Sequence, residues 1–210
     1  MLVRAAAVLA LALLAGACER EPSAEDRAAA EATSPTPIPA DPPPPPAAAR
    51  AEVLTAEGYG PLRIGMSRAE VVQALGEDSE PNAVGGPEPE ACDQFRPARA
   101  PRGLLVMIEG GRLTRISLIR DSALKTDRGF GVGDAASAVK AAYGSDAAVT
   151  PHKYEQAPAE YVTVWSGGPR GAAYVPDPAA RGVVYEIGGD GRVSAVHAGG
   201  PSIQYVEGCS

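Results

Sequence analysis

Two stretches of the sequence share one pattern, and this internal repeat limits the possible folds more than any other feature. Residues 65–76 and residues 133–144 each begin with glycine, continue with a helical apolar stripe and end with glycine. Further along, residues 103–116 and residues 182–196 match each other as paired β-runs around a glycine-rich turn. The pattern predicts two tandem units of about 70 residues, with their elements in the same order.

Each unit is expected to begin with a short helix. Ser67 and Glu70 have the spacing of a capping box, and Gly76 can adopt the left-handed conformation that ends a helix. In the second unit Asp134 is the available N-cap, one place earlier than Ser67, and Gly144 provides the same stop. The sequence therefore predicts two short helices whose starting positions are offset by one residue.

After each helix the pattern changes to short β-runs separated by turn residues. The predicted strands cover residues 92–96, 103–109 and 112–119 in the first unit, and 160–166, 171–175, 182–187 and 192–198 in the second. Gly110 and Gly111 are typical of a two-residue hairpin, because both can take a positive φ. The prediction is an α+β fold, in which each short helical element packs on a three- or four-stranded antiparallel sheet, and tandem units of this kind can join their sheets.

The N-terminal residues have the order of a processing signal. Met1–Arg4 is basic, Ala5–Leu14 is an apolar run too short to span a bilayer, and small residues precede Cys18. We predict a lipoprotein signal peptide over residues 1–17 with lipid attachment at Cys18; the alternative is an ordinary secretory signal with a cysteine near its cleavage site. Glu19 follows Cys18 in place of the aspartate associated with inner-membrane retention, and by resemblance to known lipoprotein sorting signals this implies a lipid anchor on the periplasmic face of the outer membrane.

A proline-rich segment separates this signal from the repeats. Residues 19–50 hold nine of the 21 prolines, Pro42–Pro46 among them, and no aromatic residue. Such a composition cannot bury enough apolar surface to fold, and a proline run favours the extended polyproline II conformation. We therefore expect a lipidated cysteine and disordered tether over residues 18–56, repeat 1 over 57–126 and repeat 2 over 127–210. A docking motif in the prolines is the alternative to a simple spacer.

Charge excludes one class of partner and suggests a surface for another. The net charge of -7 argues against nucleic acid, whose phosphates require clustered Lys and Arg. Residues 93–128 nevertheless have four more basic than acidic residues, so they could bind an anionic partner or simply be solvated strand edges. Tyr161, Trp165, Arg112 and Arg115 are the candidate binding surface, because aromatic residues and arginine are frequent in recognition sites.

The cysteines and histidines predict a disulfide but no catalytic or metal site. With Cys18 lipidated, Cys92 and Cys209 remain as an even pair, which in an oxidising compartment favours one disulfide. His152 and His197 are the two histidines, and neither lies in a pattern with metal-ligand spacing. No nucleophile-elbow motif is present either. The sequence therefore predicts no catalytic residue, no metal and no cofactor.

The first helical motif carries a resemblance to known families. An apolar residue followed by Gly65, Met66, Ser67, two residues, Glu70 and Val71, then a helix and a sheet, resembles the small outer-membrane β-barrel-assembly lipoproteins. The tandem arrangement over residues 60–210 resembles the β-lactamase-inhibitor protein, whose two repeats form one concave sheet. The chain is also similar to uncharacterised two-repeat lipoproteins of Gram-negative bacteria. The inhibitor's contact residues do not map onto this sequence.

Signal, tether, repeat and disulfide together predict a non-enzymatic lipoprotein, anchored in the outer membrane, that acts as a protein-binding or envelope-assembly module. Its expected partners are the membrane, through the lipid, and an envelope protein. The alternative is an inhibitor of a periplasmic or invading enzyme, as the second resemblance implies. The third class, an enzyme, would need turnover that depends on a polar residue near His152 or His197.

Overall fold

The structure is a computed structural model that describes residues 53–168 and 170–209. The predicted signal peptide, Cys18 and most of the tether lie outside the described residues. Within these residues the elements are β1 (Gly58–Tyr59), β2 (Leu62–Arg63), α1 (Arg68–Leu75), β3 (Cys92–Phe95), β4 (Leu104–Glu109), β5 (Arg112–Ile119), α2 (Ala136–Tyr143), β6 (Ala147–Pro151), β7 (Glu160–Ser166), β8 (Arg181–Ile187) and β9 (Val193–Gly199). Two 3₁₀ turns, Gly144–Asp146 and Pro201–Gln204, follow α2 and β9.

Seven of these strands form one antiparallel sheet in the order β3-β4-β5-β9-β8-β7-β6. The two halves meet where β5 pairs with β9, from Arg115 opposite Gly199 to Ile119 opposite Ala195. The predicted α+β class and antiparallel pairing are confirmed. The predicted sheet size of three or four strands is wrong, because pairing β5 with β9 removes two open strand edges and merges the halves into one sheet.

The strand predicted over residues 171–175 is absent, and β6 takes its place at the sheet edge. Gly171 has a φ of 65°, which extended strands do not use. The backbone of Val175 instead pairs with the side-chain amide of Gln204, at 2.9 Å to its N–H and 3.0 Å to its carbonyl. That amide satisfies the polar groups that a neighbouring strand would have paired.

Helix α1 begins and ends as the sequence predicts. The backbone N–H of Ser67 donates to Glu70 Oε2 at 2.7 Å, and the Ser67 hydroxyl accepts from the Glu70 N–H at 3.3 Å. Gly76 and Gly144, which end the two helices, have φ values of 91° and 54°. Both helices have eight residues, and no helix in the described part of the chain is long and apolar enough to cross a membrane.

The predicted N-cap of the second helix is wrong. Helix α2 is capped by Ala135, which makes no side-chain hydrogen bond. Asp134 turns away from the helix and accepts from Lys125 Nζ and from the Gly131 N–H, both at 2.7 Å. The carboxylate therefore fixes the loop before α2, because an ammonium ion and a backbone N–H there are better placed partners than the helix terminus.

The helices and the main apolar core lie on one face of the sheet. Val71 of α1 and Val139 of α2 are both fully buried in this core. Because side chains alternate along a strand, Tyr185 of β8 points into the core while its neighbour Glu186 points to the opposite face. That opposite face carries a small apolar cluster, made of Trp165, Val175, Val184 and Ile203.

The fold begins earlier than the sequence predicts. Leu54 and Ala56, which fall within the predicted tether, are buried in the main core. The backbone N–H of Leu54 donates to the carbonyl of Lys125 at 2.9 Å. The folded part of the chain therefore reaches back at least to Leu54.

The last residues form a strap, residues 201–209, across the face opposite the helices. Ile203 packs in the small cluster with Trp165, and Arg115 donates to carbonyls of the strap. Its end is held by the predicted disulfide, which is confirmed, with Cα atoms of Cys92 and Cys209 5.4 Å apart. The strap and the sheet together enclose the candidate site.

Candidate functional site

A cavity of about 420 Å³ lies between the strap and the sheet, and we call it the strap cavity. Its floor is built from alternate residues of three neighbouring strands: Tyr161, Thr163, Val184, Glu186 and His197. Its opposite wall consists of Tyr174, Ile203, Gln204, Tyr205 and Val206. A larger and more open groove of about 720 Å³ runs beside the disulfide, but it contains none of the buried titratable groups that distinguish the strap cavity.

Glu186 is the centre of a hydrogen-bonded chain on the floor. Its Oε1 lies 3.4 Å from His152 Nε2, and its Oε2 lies 3.4 Å from His197 Nε2. His197 Nδ1 in turn lies 2.8 Å from the Ser117 hydroxyl, which the pairing of β5 with β9 places directly opposite. Four residues from four parts of the chain thus share one network.

The hydrogen-bond partners of each imidazole decide which ring nitrogen carries the proton. His152 Nδ1 accepts from the backbone N–H groups of Tyr154 and Glu155, at 3.2 and 3.0 Å. A neutral imidazole that accepts at Nδ1 carries its proton on Nε2, so His152 donates to Glu186. His197 Nε2 faces the other carboxylate oxygen, which can only accept, so the proton lies on Nε2 and Nδ1 accepts from the Ser117 hydroxyl.

The charge states agree with this assignment. The pKa of the Glu186 carboxyl is lowered, chiefly by the hydrogen bond from His197, which outweighs the opposing effect of burial. Burial lowers the pKa of the His197 imidazole, because a charged ring would lose its solvation. At neutral pH the site therefore presents an ionised carboxylate with a neutral imidazole beside it.

Glu186 retains the capacity to bind a ligand. A carboxylate offers about four lone-pair positions, and the two histidines use one on each oxygen. The side chain is 30% exposed, and it lines the strap cavity. One free position on each oxygen can therefore accept a donor from a molecule in the cavity.

Ser117 is placed as a support for His197 and not as a reactive group at the surface. It is only 2% exposed and does not line the strap cavity. An attacking hydroxyl must reach its substrate, so this placement separates Ser117 from anything bound in the cavity.

The two histidines and Glu186 do not form a metal centre. Each imidazole lies 3.4 Å from a different oxygen of the carboxylate. In residues 53–209, Pro169 apart, no group of three or more His, Cys, Asp or Glu residues could hold a metal ion. The Nε2 nitrogens of both rings serve as hydrogen-bond donors to the carboxylate here.

Exposed aromatic side chains collect around the cavity entrance. Tyr174 is 69% exposed, and Tyr205 and Val206 are also exposed although they are large and apolar. All three line the strap cavity. Tyr154 is close by, with its ring centroid 6.4 Å from that of His152. Tyrosine at a cavity rim is typical of recognition surfaces, because it combines apolar area with a polar tip.

Of the four predicted binding residues, only Tyr161 reaches the cavity. Its ring stacks on His152 with centroids 4.7 Å apart, and this contact helps to position the imidazole. Trp165 is only 7% exposed and belongs to the small apolar cluster. Arg112 is exposed and donates to the carbonyl of Gly65 at 3.2 Å, away from the strap cavity.

Arg115, the fourth of these residues, is 3% exposed and holds the strap. It donates to the carbonyls of Ser202 and Tyr205 at 3.2 and 2.9 Å, and to Gln94 Oε1 at 3.0 Å. Burial lowers the pKa of its guanidinium to about 10, so it remains charged at neutral pH. Its role in the structure is to fix the wall of the strap cavity.

Ion pairs with acidic residues offset part of the basic surplus predicted over residues 93–128. The ion pairs are Arg96 with Glu80 at 3.2 Å, Arg102 with Asp121 at 2.6 Å, and Lys125 with Asp134 at 2.7 Å. Two of these carboxylates, Glu80 and Asp134, lie outside residues 93–128. This pairing favours the interpretation of the segment as solvated strand edges and turns.

Sequence reasoning missed Glu186, Ser117 and the strap. One signal was present, since aligning the two predicted hairpins makes His197 and Ser117 equivalent positions. Nothing local marks Glu186, which is one acidic residue in a run of β-forming residues. Its role depends on His152, which is 34 positions earlier in the chain.

Comparisons of the chain with models of protein families, with curated proteins and with solved structures found no match.

Proposed function

We propose that this protein is a non-enzymatic binding module that is anchored through Cys18 to the periplasmic face of the outer membrane and captures an envelope protein. The strap cavity is the proposed docking site. One observation carries the proposal: exposed Tyr174, Tyr205 and Val206 surround a cavity whose floor holds a carboxylate with free acceptor positions. Tyrosines around a partly enclosed pocket are the usual composition of a protein-binding hot spot.

We also infer that the fold is a tandem repeat, as the sequence pattern predicts. The same three backbone bonds join each pre-helix segment to its hairpin. In the first unit the N–H of Gly65 donates to the carbonyl of Leu113, that of Leu113 to Met66, and that of Arg68 to Gly111. In the second unit the equivalent bonds run from Gly133 to Val193, from Val193 to Asp134, and from Ala136 to Gly191. The strap and β6 have no counterpart in the first half, so the proposed site belongs to the second unit and its extension.

The docking site is tested by in-cell crosslinking of the full-length lipidated protein. Replacing Tyr174 and Tyr205 with alanine is expected to reduce the yield of the crosslinked partner about tenfold, because loss of two rim side chains commonly removes more than 1.4 kcal/mol of binding energy. The matched control is Val149→Ala, which removes an exposed apolar side chain that does not line the strap cavity.

The outcome of that experiment separates the alternatives. An unchanged crosslink in the double variant would overturn the strap cavity as the docking site. If the partner is an enzyme and the purified protein inhibits it at one-to-one stoichiometry, the binding module acts as an inhibitor. Turnover of the partner by the purified protein would contradict the non-enzymatic proposal.

The anchor is tested separately. Cys18→Ser is expected to abolish incorporation of a labelled fatty acid and to move the protein from the membrane fraction to the soluble periplasmic fraction, because the thiol is the proposed attachment point. Persistent acyl label on the serine variant, or wild-type protein without label, would rule out lipidation at this residue.

A further inference from the structure

We propose that the strap cavity recognises an arginine side chain of the captured protein, with the Glu186 carboxylate as its acceptor. This inference rests on the proposed function, because it names the chemistry that the partner brings to the same site. It depends on the charge of the cavity, on the free positions of the carboxylate and on the rings beside it.

The charge of the cavity favours a cation. Among the residues that line it, Lys153 and Glu186 are the two that carry a full charge at neutral pH. Lys153 Nζ lies 2.8 Å from Glu207 Oε1 at the edge of the cavity, so a carboxylate already neutralises the lysine. Among the residues that line the cavity, the charge without an ion-paired lysine or arginine is therefore that of Glu186.

In the described part of the chain, no lysine or arginine side chain is hydrogen-bonded to the Glu186 carboxylate. Its two neighbours at ion-pair distance are histidines, of which His197 is neutral for the reason given above. The buried guanidinium of Arg115 interacts electrostatically with Glu186, but its hydrogen bonds go to Ser202, Tyr205 and Gln94. Carboxylates that are mostly buried are normally paired with a cation, and here that position is open to the cavity.

The geometry selects a guanidinium among cations. The histidines occupy one position on each carboxylate oxygen, which leaves one position on each for a second donor. The two parallel N–H groups of arginine can donate to both oxygens of one carboxylate at once, whereas an ammonium ion is a point charge without a fixed fork.

The rings around the carboxylate add a second reason. Tyr161 lies on the floor, and Tyr174 and Tyr205 lie on the opposite wall of the same cavity. A planar guanidinium stacks on aromatic faces and is more weakly hydrated than an ammonium ion. An arginine side chain would therefore meet apolar rings along its length and a carboxylate at its end.

Purified full-length protein in detergent micelles allows a direct test with two small probes. Butylguanidinium imitates the arginine side chain, and butylurea is its neutral isostere. Binding is followed by the NMR signals of the His152 and His197 Nε2–H groups, which touch Glu186. We expect butylguanidinium to shift both signals to saturation, and butylurea to bind at least about tenfold more weakly, because the charge-assisted bonds are absent.

Two variants assign the effect to the residues named. Glu186→Gln is expected to weaken butylguanidinium binding by about tenfold or more, since it removes the charge at almost constant volume. Glu77→Gln removes an exposed charge that does not line the cavity and is expected to leave the affinity unchanged. If Glu186→Gln disturbs the fold, Tyr174→Ala provides the second test, because its exposed side chain can be removed without loss of core packing.

Equal affinity for the two probes, or an unchanged affinity in both the Glu186→Gln and Tyr174→Ala variants, would overturn the arginine inference. The proposed function fails differently. If the partner crosslink is lost in the Tyr174 and Tyr205 double variant but survives Glu186→Gln, the docking site stands and the arginine inference falls. If the crosslink survives both, the docking site itself is wrong, whatever the probes do.

Discussion

Replacing Cys92 and Cys209 with alanine together is expected to lower the free energy of unfolding by as much as about 5 kcal/mol. The two cysteines are 117 positions apart, so the disulfide closes most of the folded chain into one loop. On the chain-entropy model, a longer closed loop restricts the unfolded ensemble more strongly. Urea denaturation of the wild type and the double variant, followed by circular dichroism, measures the difference.

The third cysteine provides a matched control for this experiment. Cys18→Ala is expected to leave the unfolding transition of the purified protein unchanged, because Cys18 lies outside the proposed fold. An unfolding midpoint of the Cys92 and Cys209 double variant equal to that of the wild type would show that the disulfide contributes nothing to stability.

Releasing the end of the strap should also open the strap cavity. The double variant should therefore lose binding of butylguanidinium while the sheet remains folded.

Arg115→Met is expected to destabilise the fold by about 2–4 kcal/mol, the second large effect. The substitution leaves the carbonyls of Ser202 and Tyr205 and the side-chain oxygen of Gln94 without the donor that the guanidinium supplies. A polar atom left buried without a partner loses its solvation and gains nothing in return. Denaturant titration at neutral pH measures the loss.

Arg112→Met is the control, since it changes the same residue type three positions earlier in β5. Arg112 is exposed, so its removal is expected to cost less than about 1 kcal/mol. Similar losses in the two variants would contradict the assignment of Arg115 to the buried face. If Arg115→Met lowers stability but leaves butylguanidinium binding unchanged, the position of the strap does not depend on the charge of Arg115.

The features that sequence reasoning predicted correctly have short-range causes. The capping box of Ser67 and Glu70 needs three residues of spacing, and the glycine stops need a positive φ at one position. Gly110 and Gly111 form the predicted turn with φ values of 56° and 75°. Each of these features depends only on residues within about four positions of one another in the sequence.

The predictions that were wrong depend on contacts between residues that are distant in the sequence. Asp134 was predicted as an N-cap, but Lys125, which is nine positions away, competes successfully for its carboxylate. The run over residues 171–175 has β-forming residues, yet the side chain of Gln204 takes the place of a neighbouring strand. A local sequence pattern gives the conformational preference of a segment. A residue distant in the sequence can override that preference by forming more favourable hydrogen bonds with the polar groups of the segment.

The amino-acid sequence by itself determined the α+β class, the two helices, the hairpins and the pairing of Cys92 with Cys209. These follow from residue spacing, from turn chemistry and from having two cysteines once Cys18 is set aside. Only the tertiary structure decided that the halves share one sheet, that Arg112 is exposed while Arg115 is buried, and that Glu186 meets two histidines under the strap. Such relations depend on which strands become neighbours and which segment covers a face, and that choice is made by the whole chain when it buries its apolar surface.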